Sequence, residues 1–148
     1  MKGQTLIEVL VALGVAIVLI FAITIIVINT LNNLATQIAQ EGMELVRKQK
    51  QSNQATFNSL SGDYCLGKEQ TILSPKVIDC SQNVDIFKRE IKINRSDLGS
   101  CDTPSANDAK VIVTVLWFDN KCTSTANLFC HNVKLISCFS DVANIPTP

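Results

Sequence analysis

The chain is predicted to be α+β: a long N-terminal α-helix, hydrophobic in its first half, packed against a small antiparallel β-sheet head stabilised by disulfides. Three observations predict this. An uncharged apolar run opens the chain, helical periodicity continues beyond it with no proline before Pro75, and three alternating segments with six cysteines follow. Charge marks the same division. The 148 residues hold 13 Lys+Arg and 13 Asp+Glu, yet residues 1–40 contain only Lys2 and Glu8. A balanced net charge argues against a protein held to nucleic acid or acidic lipid by bulk electrostatics, and the hydrophobic content of 47% argues against an acidic disordered chain.

Val9 to Ile28 reads VLVALGVAIVLIFAITIIVI, twenty residues without a charge. As a helix this run spans about 30 Å, the hydrocarbon thickness of a bilayer. Being apolar on every side, it must lie in lipid or among other helices. A secretory signal peptide fits less well, because the run exceeds the usual h-region of about 7–15 residues and no A-x-A-type cleavage site follows. Beyond Ile28, Leu31, Leu34, Ile38 and Leu45 recur at helical spacing. The pattern predicts one helix from Gln4 to Phe57, roughly 80 Å long. Gly14 and Gly42 interrupt it, either as sites of bending or close packing or as simply tolerated glycines, which cost up to about 1 kcal/mol each. Glu44 stands at i,i+3 and i,i+4 spacing from Arg47 and Lys48, the pattern of a solvated helix face.

The polar cluster SLSGD at 59–63 marks the passage to the head. The chain therefore divides into 4–28, a hydrophobic helix suited to lipid or to packing among other helices, 29–58, its amphipathic continuation, and 59–148, a globular antiparallel β head. Three strands are predicted there. Ile86–Ile93 sets Phe87, Ile91 and Ile93 on one face, with Arg89 breaking the pattern. Lys110–Asp119 is apolar on both faces, as expected of a central strand, and Cys130–Phe139 alternates Val133, Leu135 and Phe139. One face of this sheet is expected to cover the emergent helix. The closing NIPTP reads as a tail.

Cys65, Cys80, Cys101, Cys122, Cys130 and Cys138 all lie in the head, an even count that suggests a disulfide framework. Six cysteines allow fifteen pairings. Proximity favours Cys122–Cys130 and Cys65–Cys80, which leaves Cys101–Cys138. No CxxC occurs and His131 is the sole histidine, so zinc-site spacing is absent and neither metal nor cofactor is expected. His131 and Cys130 would point to opposite faces of a strand and so form no nucleophile–base pair; a solvent-facing histidine is expected. With no P-loop, dinucleotide, GxSxG or HExxH motif, no catalytic residue is assigned and an enzyme is not expected. The cations Lys88, Arg89, Lys92 and Arg95 split between two strand faces, which reads as surface charge rather than a nucleic-acid site.

Residues 2–13, KGQTLIEVLVAL, resemble the N-terminus of type IV pilins, pseudopilins and related pilin-like proteins. Gly3 matches the processing site, Thr5-Leu6-Ile7 follows, Glu8 is the fifth residue after the cut, and an apolar helix continues. The detailed resemblance covers about the first 25 residues and, in architecture only, the whole chain. It implies that residues 1–3 are a leader, that a prepilin peptidase cuts after Gly3, and that Gln4 becomes the mature, usually methylated, N-terminus. It also implies that Glu8 neutralises the N-terminal ammonium of a neighbouring subunit. Two features depart from the pattern. The leader is short, with one basic residue, Lys2, and Gln4 stands where Phe or Met is commoner; an N-terminal glutamine can also cyclise to a lactam that lacks the ammonium. The stretch AQEGMELVR is similar to minor pilin-like proteins, whose heads commonly carry a disulfide.

The resemblance thus implies a minor-pilin-like structural subunit, held in the cytoplasmic membrane with its head outside and then assembled into an extracellular or periplasmic filament. Its partners would be the peptidase, other pilin-like subunits and the membrane, with nucleic acid not expected. Two alternatives stay open: a pseudopilin of type II secretion or competence machinery, and a single-span anchored extracellular binding domain that never assembles.

Overall fold

The computed structural model describes residues 4–68, 70, 73–76, 80–96, 98, 101, 108–117 and 131–140. Helix α1 runs from Gln4 to Ser52. The chain forms two compact units, Met1–Leu34 and Ala35–Pro148, the boundary falling within α1. In the first unit the described side chains are exposed, apart from Leu31, which is partly covered.

In the second unit, the rest of α1 packs on a five-stranded antiparallel sheet, an α+β fold with two disulfides. Ala35, Ile38, Ala39, Gly42, Met43 and Val46 form the buried stripe, spaced i, i+3, i+4, i+7, i+8 and i+11. Of the leucine and isoleucine positions expected to mark the stripe, Ile38 belongs to it, whereas Leu34 remains 42% exposed. The reason is that the helix turns its small residues to the sheet. A Cβ on Gly42 would sit 3.0 Å from Arg89 Cδ and 3.2 Å from Val113 Cγ1, so the glycine serves close packing; one on Gly14 would meet open space. Gly42→Ala gains up to about 1 kcal/mol of helix propensity, but overpacking a fixed site costs about 1–3 kcal/mol. The net expectation is a loss of ~1 kcal/mol, read as a lower urea midpoint for the detergent-solubilised chain by near-UV circular dichroism.

The helix stops before Phe57. Asn53 leaves helical geometry and its side chain accepts a hydrogen bond from the Thr56 N–H at 2.9 Å, capping a short helix α2, Gln54–Ser59. An asparagine that bonds nearby backbone competes with a continuing helix. Phe57 is then fully buried, its ring 5.7 Å from that of Phe139.

The strands are β1 (Gly62–Cys65), β2 (Ser74–Pro75), β3 (Phe87–Asn94), β4 (Ala109–Trp117) and β5 (His131–Phe139), in the order β2-β1-β3-β4-β5. The three predicted strands are present. β1 and β2 are additions: β1 begins inside the SLSGD cluster, where Gly62 supplies a φ of 105°, and β2 is too short to show a period. Register aligns Ile91 with Val113 and Val113 with Leu135, so the inner row runs across three strands. Phe87, Arg89, Ile91 and Ile93 of β3 and Val111, Val113 and Val115 of β4 are buried on that face, whereas Val133 and Leu135 of β5 are half-buried. The outer row of β4 is mixed, with Leu116 buried and Ile112 half-buried.

Cys65–Cys80 and Cys101–Cys138 are disulfide-bonded, at sequence separations of 15 and 37. The first ties β1 to the connection before β3; the second ties the β3–β4 connection to β5. On chain-entropy grounds loops of these sizes are worth about 3 and 4 kcal/mol. Cys122, Cys130 and the NIPTP tail lie outside the described residues.

On the outer face Glu90 pairs with Lys76 at 2.9 Å and with Lys88 at 2.8 Å. Burial works to raise its carboxyl, but the hydrogen bonds from Lys88 and Lys76 outweigh it and hold the group below its usual value. Its contribution to stability is therefore complete above the ordinary glutamate value of about 4.3 and is lost as pH falls through the lower folded value. The stability gap between the native chain and Glu90→Gln is expected to close on acidification below that point, as followed by urea midpoints across a pH series.

Candidate functional site

From Leu6 to Ile28 the described surface of α1 is almost wholly apolar and exposed, with Val18 at 67% and Phe21 at 65%. Among the described residues, this is one helix long and apolar enough to cross a membrane, which is consistent with a single-pass membrane protein. The hydroxyls it carries are satisfied internally. Thr24 Oγ1 donates to the Ile20 carbonyl at 2.8 Å, and Thr30 Oγ1 to the Ile26 carbonyl at 2.9 Å. Such back-bonding leaves neither hydroxyl seeking a partner in lipid or on a neighbouring helix. Glu8 differs: it is exposed in the second turn, without an ion-pair partner among the described residues. Gln4 is the first residue of α1, and Gly3 lies outside the described residues.

The polar centre of the head is one that sequence reasoning missed. Arg89, read as a break in strand alternation, keeps to the inward row and is fully buried. Its Nε donates to the Leu66 carbonyl at 2.9 Å, one terminal nitrogen to the Ile38 carbonyl at 3.1 Å, and the other to the Gly67 carbonyl at 2.8 Å. Glu41 lies 3.6 Å away and is half exposed. Burial pushes the guanidinium below its ordinary value, against the opposing pull of Glu41. Asn83 braces the site by accepting from the Arg89 N–H at 2.7 Å and donating to its carbonyl at 2.9 Å. One planar cation thus joins α1, the segment after β1, and β3, in keeping with the fork geometry of arginine. Gly42 provides the space for its stem.

Arg95 does similar work at the end of β3. It donates to the carbonyls of Leu60 at 2.8 Å and Phe57 at 2.6 Å, and lies over the Phe57 ring at 5.3 Å. Lys88 and Lys92 occupy the row opposite Arg89, as their spacing predicts, and Arg95 lies just past the strand; the reading of this cluster as surface charge fails at Arg89, which is fully buried. The expected Glu44–Arg47 pair is formed on the helix surface. His131 is exposed and stacks on Trp117 with ring centroids 5.5 Å apart. Among the described residues, no three His, Cys, Asp or Glu side chains converge on a common point.

No protein family, curated protein or solved structure matches the chain. The site's chemistry rests on these residues alone: an apolar helix surface with a single carboxylate near its start, joined in sequence to a head clamped by the buried Arg89 and the partly buried Arg95.

Proposed function

We propose that the chain is a pilin-like structural subunit of the minor kind, processed by a prepilin peptidase after Gly3 and assembled through its N-terminal helix into a type IV pilus-like filament. The observation that carries this reading is Glu8, a carboxylate set at the edge of an uncharged twenty-residue run and five residues beyond the glycine. A charge within a membrane span costs about 2.5–3.5 kcal/mol at the centre and less towards an interface. A lone acid so placed is explained by a cation that meets it later. The ammonium freed at Gln4 of a neighbouring subunit is that cation, and the pair acts as a register device, since only one axial offset satisfies both charges. The exposed helix surface supports the same reading, first as a lipid-facing anchor and then as a packing surface. Lys2 near the N-terminus and disulfides, which form in an oxidising compartment, support an orientation with the head outside.

Co-expression with a prepilin peptidase tests the proposal. The expected result is a gel shift with N-terminal sequence beginning at Gln4; a blocked N-terminus whose intact mass fits the lactam would support the cut but overturn the pairing of Glu8 with an ammonium. An anchored binding domain that never assembles predicts no peptidase-dependent cut at Gly3, so an unshifted chain overturns the proposal.

A further inference from the structure

The sheet ends differently at its two edges. β2 has two residues, one of them Pro75, which offers no N–H to a further strand. β5 is nine residues long and, among the described residues, pairs with β4 on one side. Gly42 of α1 meets Arg89 and Val113, so the middle of the helix lies over β3 and β4. Its last turn reaches the end of β5, where Lys50 Nζ donates to the Ser140 carbonyl at 2.6 Å and lies over the Phe139 ring. Val115 and Val113 are fully buried, whereas their β5 partners Val133 and Leu135 are half-buried. A groove of about 480 Å³ follows, between Gln40, Met43, Glu44 and Arg47 on the helix and Leu135 and Ser137 on the strand.

We propose that β5 is a strand-addition site for an extended segment of a protein partner, apolar at alternate residues and acidic in the opposite row. An added strand gains main-chain hydrogen bonds from the open edge and specificity from alternate side chains. Its inward row would lie over Met43 and Leu135. Its outward row would lie beside Lys134, which is exposed and has no carboxylate partner among the described residues. Lys110 adds positive charge to the same outer face. The acid is thus selected by charge complementarity. A second copy of β5 fits less well: antiparallel pairing centred on Lys134 would oppose two lysines, and centred on Leu135 it would set Lys134 against Ile136. Like charges directly opposed across strands are destabilising. This site does not depend on whether the chain assembles through its N-terminal helix.

The test uses the full chain in detergent micelles and a labelled, end-blocked heptapeptide, TVEVTVT, whose valines share one row and whose glutamate lies in the other. Binding is followed by fluorescence anisotropy and by amide hydrogen exchange. The expected result is binding at millimolar peptide or below, with slowed exchange confined to 131–139. Lys134→Glu is expected to weaken binding roughly fivefold, and TVKVTVT to restore it, the size of a cross-strand charge pair. Lys134→Gln gives an intermediate loss and serves should the charge reversal disturb folding. The proposal is overturned by unchanged exchange in β5, by equal binding of the proline peptide TVEPTVT, by insensitivity to both Lys134 variants, or by self-association of the chain through β5.

Discussion

Arg89→Met is expected to destabilise the head by about 3 kcal/mol, because a buried carbonyl left without its donor costs about 1–3 kcal/mol. Methionine keeps much of the volume of the stem but none of the donors now used by Leu66, Gly67 and Ile38. The Ile38 carbonyl retains its place within the helix and that of Gly67 keeps the Gln70 N–H at 3.4 Å, whereas that of Leu66 loses its donor in a site where Arg89 is fully buried. Glu41 is half exposed and can return to water, so the loss falls chiefly on the carbonyls. Arg89→Lys should recover less than half, since an ammonium on a flexible stem lacks the planar fork that reaches three acceptors. Urea midpoints of the two variants check the size of the effect. Hydrogen exchange checks its location: amides between Ala35 and Val46 should lose protection together with those of β3. A variant with the native midpoint would refute the clamp.

The second large effect belongs to Glu8. A Glu8→Leu chain is expected to enter the membrane at native levels and be depleted at least tenfold from sheared filaments. Losing a buried charge pair is worth several kcal/mol, and every 1.4 kcal/mol is a factor of about ten. In the proposed filament, leucine would remove the acid and leave the neighbour's ammonium unmatched in an apolar core. Glu8→Gln, which keeps hydrogen-bonding capacity without the charge, should fall between. Immunoblots of membrane and sheared fractions measure both quantities, and native amounts of Glu8→Leu in the sheared fraction would refute the assembly role.

The α+β division was legible because each part has its own period. Val9 to Ile28 has no polar face, and Phe87, Val113 and Leu135 sit in runs that alternate. Six cysteines pointed to disulfides, and Cys65–Cys80 was a pairing that proximity favoured, but the choice among fifteen connectivities was not legible in the sequence. What escaped was set by contacts distant in sequence. Ala35, Ala39 and Gly42 carry too little hydrophobicity to announce a buried stripe, yet their smallness is why the helix sits close to the sheet. Arg89 occupies an inward strand position, and that position was the available signal. An arginine there reads as a fault until the carbonyls of the helix and of the β1 exit are known to face it. The helix stop at Asn53 was likewise a local choice, made by one side chain against a pattern that otherwise continued to Phe57. For the apolar half of α1 and for Glu8, sequence and structure carry nearly the same information, since the described side chains of this segment are almost all exposed.

Thr24 and Thr30 have a consequence for reversibility. Each hydroxyl is already bonded to its own helix, so if this segment passes from lipid to a protein neighbour, as proposed, neither threonine breaks a hydrogen bond. Lipid tails and apolar side chains are near-equivalent surroundings for the rest of its surface. The transfer is then almost neutral along most of the helix. A single ionic contact at one end, or work applied from outside, is enough to decide its direction.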